Sequence, residues 1–314
     1  MNTANQSLGQ TVVPATRISR ILAPTDFSPL SKAAVCATVT MLEGNPEASL
    51  TLMHAVDPGE SAVDLDCGDV SHLHPLVARV NHAGKLMKTL RTECGCSSEL
   101  DTRIVMGNAA HAICNLAREE NYDLIVMSSH GRTGLARVLI GSVAERVVQE
   151  APCAILVAKP PKDSAGTLLV TPVPLRFMRL LVGYDHRAGA RHALDMAWEL
   201  AKNRGSHLTL VHALEPGPVM PDCPSSAEER AVCVQEALER LVEVRRRRFP
   251  ESLDWDLRVE IGEPWDVIVR TAKETCSDIV IVGPHEYTRW GHAYVGSTAQ
   301  RVVRSAPCPV LVVK

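Results

Sequence analysis

The sequence lacks the features that would place the chain in a membrane or on a nucleic acid. No apolar run reaches the roughly 18 residues that a membrane-spanning helix needs, so we expect no membrane partner. The polar N-terminus has no basic segment followed by an apolar one, so we expect no signal peptide and a cytoplasmic protein. The formal net charge of −3 provides no basic field, so we expect no nucleic-acid partner.

Motifs of several enzyme classes are also missing. There is no GxxxxGK[ST] loop, which argues against fast ATP hydrolysis. No GxGxxG follows the first predicted strand, where the sequence is Pro24-Thr-Asp-Phe-Ser, and this argues against a dehydrogenase. No ligand set of a metal-dependent hydrolase can be recognised. His54 and His212 fall at the same place in two predicted strands, and we interpret them as core histidines.

The chain contains ten cysteines. We interpret those inside apolar runs as small buried hydrophobic residues in a reducing compartment. These are Cys36, Cys114, Cys153, Cys276 and Cys308. An alternative is a metal or redox site at Cys94-Gly-Cys96, with Cys67, His72 and His74 upstream, although a CxC pair without a second ligand pair is a weak pattern.

What the chain does contain is a repeat of itself. Ala-Pro-Cys at 151–153 recurs at 306–308, and Gly141-Ser142 recurs as Gly296-Ser297, both at a separation of 155 residues. Upstream, Asp26 matches Asp185 at a separation of 159. A near-constant separation over many positions indicates two copies of one domain. We predict a flexible tail at 1–17, domains at 18–160 and 176–314, and a linker at 161–175.

Within each copy, strand patterns alternate with helix patterns, which is typical of a parallel sheet. Ser28-Pro29 predicts the start of a helix that ends near Leu42. Ser226 and Glu229 have the spacing of a capping box. The strands are predicted at 20–24, 50–56, 100–105, 122–127 and 154–158, and at 179–183, 208–214, 255–261, 277–282 and 310–313.

The last strands of each copy are apolar without alternation, which indicates that helices cover both faces. The predicted fold class is therefore α/β, with two tandem doubly wound domains, each a five-stranded parallel sheet with helices on both faces. Ligands of such sheets bind at the carboxyl ends of the strands, near the point where the strand order reverses.

The loop after the fourth predicted strand of the first copy suits a phosphate ligand. Gly131 and Gly134 permit close backbone approach, Arg132 adds positive charge, and Gly141-Ser142 exposes N–H groups at a helix start. Asp26, at the end of the first strand, can accept hydrogen bonds from a ribose or a base. Two alternatives stay open: glycines used only for turn geometry, and an ordinary aspartate at a helix entry.

The run from Ser128 to Val147 resembles the signature of the universal stress protein (UspA-like) family, and Pro24-Thr-Asp-Phe-Ser matches it as well. The family's nucleotide motif is Gly, two residues, Gly, nine residues, then Gly followed by Ser or Thr. Gly131 and Gly141-Ser142 fit this spacing, with Ser128 at the first glycine position. In the second copy, Gly283, Glu286 and Gly296-Ser297 occupy the three positions.

This resemblance implies a cytoplasmic regulatory protein of the stress response that binds ATP, AMP or ADP, with or without Mg²⁺. It implies that Asp26 contacts the adenosine part, that the backbone of Ala55 and Val56 lines the base pocket, and that Gly131, Arg132, Ser142 and Val143 hold phosphates. The full set of expected binding residues is Pro24, Thr25, Asp26, Ala55, Val56, Met127, Ser128, His130, Gly131, Arg132, Gly134, Gly141, Ser142 and Val143.

We expect the nucleotide in the first domain, because Glu286 of the second copy puts a carboxylate where phosphate would approach. Two such anions about 4 Å apart repel by about 1 kcal/mol even in water. A nucleotide-free interaction scaffold and a weak ATPase remain alternatives, and no catalytic residue is predicted. The family's habit of dimerising through the last strand implies an intramolecular pseudo-dimer of the two domains, and leaves open a homodimer of chains.

Overall fold

The computed structural model describes residues 18–42, 47–59, 73–95, 100–130, 140–159, 175–202, 204–215, 226–250, 253–284, 286–287 and 293–314. The first repeat contains β1 (Arg20–Pro24), α1 (Pro29–Leu42), β2 (Ser49–Val56), α2 (Leu73–Glu93), β3 (Asp101–Met106), α3 (Ala109–Glu119), β4 (Leu124–Ser128), α4 (Ser142–Glu150) and β5 (Ala154–Ala158). The second contains β6 (Arg179–Gly183), α5 (Ala188–Ala201), β7 (His207–Leu214), α6 (Ala227–Arg248), β8 (Asp254–Ile261), α7 (Pro264–Glu274), β9 (Ile279–Val282), β10 (Glu286–Tyr287), β11 (Ala293–Tyr294), α8 (Ser297–Ser305) and β12 (Val310–Val312).

Ten strands form one sheet in the order β3-β2-β1-β4-β5-β12-β9-β6-β7-β8. All neighbours within a repeat are parallel, and the two repeats meet where β5 pairs with β12 in the antiparallel sense. The predicted α/β fold class is therefore confirmed, and the fifth strands form the contact that the family resemblance implied. The hairpin of β10 and β11 was not predicted from the sequence.

Two hydrophobic cores cover the two faces of this sheet. One contains side chains of α3, α4, α7 and α8, and the other contains side chains of α1, α2, α5 and α6. Successive strand residues alternate between them, so that Leu124 belongs to one core and Ile125 to the other. Each core includes residues of both repeats, and the repeats are therefore joined by packing as well as by strand pairing.

Two lysines that are equivalent in the repeats reinforce this joint. Lys159 donates from Nζ to the backbone oxygen of Ala306 at 2.7 Å, at the C-terminal end of α8. Lys314 donates to the backbone oxygen of Gln149 at 3.1 Å, in the last turn of α4. A cation at a helix C-terminus satisfies free carbonyls and opposes the negative end of the helix dipole. Each repeat thus caps the last helix of the other.

Helix starts follow the predicted local chemistry. Ser28 accepts from the backbone N–H of Ser31 at 3.3 Å, just before α1 becomes regular. Ser226 and Glu229 form both hydrogen bonds of the capping box of α6, which confirms that prediction. In the parts of the chain that the structure describes, no helix has the length and apolarity to cross a membrane.

Leu311 tests the joint between the repeats. It pairs with Leu156 across the β5–β12 contact and is 2% exposed. We expect Leu311→Ala to lower the free energy of unfolding by about 2–5 kcal/mol, because it removes buried methyl groups and leaves a cavity. Val232→Ala, at a residue that is 56% exposed on α6, is the control and should change it by less than about 0.5 kcal/mol. Equal effects of the two variants on the free energy of urea unfolding would contradict the assignment of Leu311 to the joint between the repeats.

Candidate functional site

A cavity of about 270 Å³ lies in the first repeat at the carboxyl ends of β1, β2 and β4. The strand order reverses between β1 and β4, which is where doubly wound sheets bind their ligands. Predicted site residues that line it are Pro24, Thr25, Asp26, Ala55, Met127, Ser128, His130, Gly141, Ser142 and Val143. Lining residues that sequence reasoning missed are Ser31, Met53, His54, Ala109, Ile113, Ser129 and Ala144.

One predicted residue that the structure describes, Val56, is not among those lining the cavity. The side chain of Val56 is 3% exposed in the core, and its carbonyl oxygen accepts from the backbone N–H of Gly107 at 3.0 Å. The predicted contact of the Val56 backbone with a base stays a prediction. Gly131, Arg132 and Gly134 lie outside the described residues.

The turn between β1 and α1 forms one wall of the cavity. Asp26 accepts from the backbone N–H of Ser28 at 3.0 Å, and Phe27 adopts φ 63°. A positive φ is uncommon for any residue with a side chain, and here the backbone N–H of Phe27 donates to Thr25 Oγ1 at 3.0 Å. The Thr25 and Ser31 hydroxyls, 3.0 Å apart, are both buried. The turn thus presents a pair of hydroxyls and one carboxylate at the strand ends.

His54 corrects one interpretation from the sequence. Its ring is half-buried and lines the cavity, whereas we expected a core histidine. Nδ1 donates to the backbone oxygen of Thr25 at 2.7 Å, because a carbonyl can only accept, and the ring packs 4.5 Å from that of Phe27. His212 makes the same contact with the backbone oxygen of Tyr184 at 2.7 Å and lines the second cavity. Both histidines lie at the ends of their strands, where the sheet opens.

The start of α4 forms the opposite wall. Gly141 is the N-cap residue and offers no side chain to the first turn, although its own N–H donates to the backbone oxygen of Ser129 at 2.8 Å. The first N–H groups of a helix have no acceptor within the helix. Since Ser142 and Val143 are exposed, their N–H groups can receive an anion. The φ of Gly141 is −66°, so the missing side chain, and not an unusual backbone, distinguishes this residue.

The second repeat keeps an equivalent cavity with different chemistry. Its volume is about 520 Å³, and charged groups of Asp185, Arg187 and Glu215 line it. Arg187 lies 3.8 Å from the Asp185 carboxylate. Gly296 begins α8 without a side-chain cap, as Gly141 begins α4. The second cavity is therefore retained, but more charged groups line it than line the first cavity. The backbone of Glu286 pairs with Tyr294 in the β10–β11 hairpin.

Packing explains the glycine at the first motif position of the second repeat. A Cβ on Gly283 would lie 2.1 Å from the backbone oxygen of Gly189 in the first turn of α5. A Cβ on Gly189 would in turn lie 2.1 Å from the backbone oxygen of Pro284. The two backbones therefore touch, and both glycines are required for this contact whether or not a ligand binds.

His186 occupies the same turn position in the second repeat as Phe27 in the first, at a separation of 159 residues. It shares the left-handed backbone, with φ 65°. Its Nε2 is buried and has no hydrogen-bond partner among the described residues. Burial lowers the pKa of this imidazole, and the neighbouring charges of His212 and Arg240 lower it further. Protonation of His186 is therefore less favourable in the folded protein than in the unfolded chain.

The described cysteines differ in burial and in bonding. Cys114 and Cys308 are buried as expected, and burial raises the pKa of these thiols to about 11 and about 12. For Cys36 and Cys276 the expectation of a buried thiol is wrong, because Cys36 forms a disulfide with Cys94 and Cys276 is exposed.

The alternative metal site is only partly covered by the structure. Cys67, His72 and Cys96 lie outside the described residues, as does the side chain of His74. Cys94 is bonded to Cys36 and so cannot be a thiolate ligand in this state. No group of three or more His, Cys, Asp or Glu side chains among the described residues could hold a metal ion.

Comparison with known proteins gives a consistent result. The model of the Universal stress protein family matches residues 17–159 and 176–314. A universal stress protein of Methanocaldococcus jannaschii is 34% identical over 150 residues, which cover 46% of this chain and 83% of that protein. One of Mycolicibacterium smegmatis is 25% identical over 277 residues, which cover 85% of this chain and 88% of that protein.

A solved structure that covers nearly the whole chain agrees on the fold. A universal stress protein from Archaeoglobus fulgidus superposes with a TM-score of 0.62 at 21% identity, over 95% of this chain and 97% of that one. A universal stress protein in complex with cAMP matches 44% of this chain and 95% of its own, at 24% identity and a TM-score of 0.31.

The buried imidazole of His186 predicts a pH dependence. Because its pKa is lowered in the folded state, the unfolded chain takes up the proton first, and stability is lost as the pH falls below about 6.5. We expect His186→Phe, which copies Phe27, to lose less unfolding free energy than the wild type between about pH 7 and about pH 5. Urea unfolding at both pH values measures this. The control is His82→Gln at an exposed position of α2, and identical losses in wild type and His186→Phe would contradict the prediction.

The contact between Gly283 and Gly189 predicts a strong effect of one methyl group. Gly283→Ala places that methyl 2.1 Å from a backbone oxygen, so the start of α5 or the end of β9 must shift. We expect it to lower the unfolding free energy by about 1–3 kcal/mol. Gly84→Ala in α2 is the matched control, since its nearest atom would be 3.9 Å away, and should be neutral or slightly stabilising. A neutral Gly283→Ala in thermal unfolding would show that the backbones do not touch.

Proposed function

This chain belongs to the universal stress protein family, and on that premise we propose that its first repeat binds an adenine nucleotide, which is ATP, AMP or ADP. We propose domain limits at 18–160 and 176–314, and a role as a cytoplasmic regulatory protein of the stress response. In this role, nucleotide binding changes the shape of the protein or its choice of partner protein. One observation carries the proposal: the first cavity combines an apolar interior with an uncapped helix start.

The interior of the cavity suits a base and a sugar. Met53, Met127 and Ile113 supply apolar walls, which is typical of sites that hold a planar ring. Asp26 lies at the same strand ends, beside the paired hydroxyls of Thr25 and Ser31, and its carboxylate can accept hydrogen bonds from ribose hydroxyls or a base amino group. The cavity volume of about 270 Å³ is close to the lower end of ordinary ligand sites, and the rest of a nucleotide would extend to its mouth.

The mouth of the cavity suits phosphate. The first turn of α4 presents N–H groups that have no acceptor within the helix, next to the hydroxyl of Ser142. An anion at such a position gains about 0.3–1 kcal/mol from the helix dipole, and up to about 2 kcal/mol where the site is partly buried. Mg²⁺ would arrive with the phosphates, because their oxygens supply most of the ligands that this ion needs.

The residues that line the first cavity do not favour ATP hydrolysis. Among the described lining residues of the first cavity, Asp26 is the only carboxylate, and no lysine is present. We assign Asp26 to the adenosine end of the ligand, away from the bond that hydrolysis breaks. The protein is therefore proposed as a binding protein, with turnover that is slow if it occurs.

Matched glycine variants test the site. We expect isothermal titration of the full-length protein to show ATP binding, and Gly141→Val to weaken it about tenfold or more, because a branched side chain then crowds the phosphate-binding turn. Gly296→Val makes the same change at the start of α8 and should leave the affinity unchanged. AMP and cAMP, added as competitors, distinguish recognition of the adenosine part from recognition of the phosphates.

Three outcomes would contradict the proposal in different ways. No ATP binding by the wild type would favour the nucleotide-free scaffold. Binding that is lost in Gly296→Val but kept in Gly141→Val would move the site to the second repeat. Phosphate release above background that disappears in Gly141→Val would favour the enzyme.

A further inference from the structure

The two repeats fasten the same pair of helices in two different ways. In the first repeat, a disulfide joins Cys36 of α1 to Cys94, the residue that follows the last residue of α2. In the second repeat, Asp195 occupies the position of Cys36, at the separation of 159 residues that also relates Asp26 to Asp185. Arg248, the last residue of α6, donates to both oxygens of Asp195, at 2.8 and 3.0 Å. One repeat thus uses a covalent bond where the other uses an ion pair.

We propose that Cys36 and Cys94 form a reversible thiol–disulfide couple that peroxides oxidise, and that its state sets the affinity of the first cavity for its ligand. The second part rests on the proposed function, whereas the first part does not. The corresponding ion pair of the second repeat, Asp195 with Arg248, has no such response, because it neither gains nor loses electrons.

The chemistry of the couple balances with a peroxide as the oxidant. One thiolate attacks a peroxide oxygen, the O–O bond breaks, and a sulfenic acid and one molecule of water or alcohol form. The second thiolate then attacks the sulfenic sulfur, the S–S bond forms, and a second molecule of water leaves. Two thiols lose two electrons and two protons in total. A dithiol reductant reverses the change by thiol–disulfide exchange and is itself oxidised.

The surroundings of the bond permit cycling. Both cysteines are only half-buried, so the bond lies near the surface and not inside the core. An ion pair between Lys32 Nζ and Glu93 Oε2, at 2.9 Å, ties the same two helices next to the bond. This pair does not depend on redox state, so it can still form between the two helices after reduction. Reduction should therefore loosen the helices without separating them.

The rest of α1 does not need the disulfide in order to stay folded. Ala34, Val35 and Ala37 are at most 4% exposed, and Val35 belongs to the core on this face of the sheet. Reduction should therefore lower stability and increase the mobility of α1 without unfolding the domain. A disulfide stabilises mainly by restricting the unfolded chain, and here it closes a loop across a sequence separation of 58.

Helix α1 connects the couple to the cavity. Ser31, in the first turn of α1, lines the cavity, and its hydroxyl lies 3.0 Å from that of Thr25. Cys36 follows five residues later on the same helix. Because five residues span only about 7.5 Å of helix, we expect freedom gained at Cys36 to reach Ser31 and the turn that holds Asp26. A ligand that must order this wall again pays an entropic cost, and its affinity falls.

The first experiment reads the thiols directly. The full-length protein is treated with hydrogen peroxide or with a dithiol, alkylated without unfolding, and digested for mass spectrometry. We expect Cys36 and Cys94 to resist alkylation after peroxide and to react after reduction, over repeated cycles. Exposed Cys276 is the internal control for alkylation. Reduction should also lower the melting temperature by several degrees. If both thiols react equally before and after peroxide, the couple does not exist.

The second experiment replaces the disulfide with the ion pair of the second repeat. C36D/C94R copies Asp195 and Arg248 and should give an ATP affinity that no longer depends on redox state. C36S/C94S should behave as the reduced wild type in both states, and it keeps the test decisive if C36D/C94R does not fold. C276S is the control and should respond as the wild type does. We expect reduction of the wild type to weaken ATP binding about fivefold or more.

The outcomes separate the two proposals. Equal ATP affinity of oxidised and reduced wild type would overturn the link between the couple and the cavity. ATP binding in neither state would overturn the proposed function and that link together, while alkylation and melting would still decide whether the couple cycles. A redox response that persists in C36S/C94S would assign it to other cysteines and overturn the proposal.

Discussion

The pairing of β5 with β12 is the contact on which the rest of the molecule depends. Three residue pairs join the strands, and on either side of them the sheet continues through the four other strands of each repeat. Because the sheet is continuous, the helices on each face share one core, and the repeats cannot move as independent bodies without breaking it. The continuous sheet therefore fixes the positions of the two cavities relative to each other. The lysines that cap each other's helices, Lys159 and Lys314, add polar contacts to this apolar joint.

The fold was predictable because its determinants are local or periodic. Apolar runs without alternation predict buried parallel strands, and the constant separation between repeats predicts two similar domains. The capping box at Ser226 and Glu229 follows from spacing alone. The hairpin of β10 and β11 was not predicted, because two strands of two residues each give no periodicity to detect.

The site was harder to predict where distant segments meet. His54 looked like a core residue because it lies in an apolar strand, and only the three-dimensional end of that strand shows that it borders a cavity. The disulfide was missed for the same reason, since Cys36 and Cys94 are 58 residues apart and no local pattern links them. The role of Gly283 is likewise invisible without its neighbour Gly189, because a motif glycine and a packing glycine look the same in one sequence.

Covalent joining of the two repeats has a consequence for how such a protein can change. In an assembly of two identical chains, every substitution is present in both copies, so a change that suits one site is imposed on the other. Here each repeat always meets its own differing relative across β5 and β12, in a fixed ratio of one to one. A helix fastening can therefore become an ion pair in one half, as with Asp195 and Arg248, while the other half keeps a different chemistry. The antiparallel strand contact thus gives the chain two sites that are free to specialise separately.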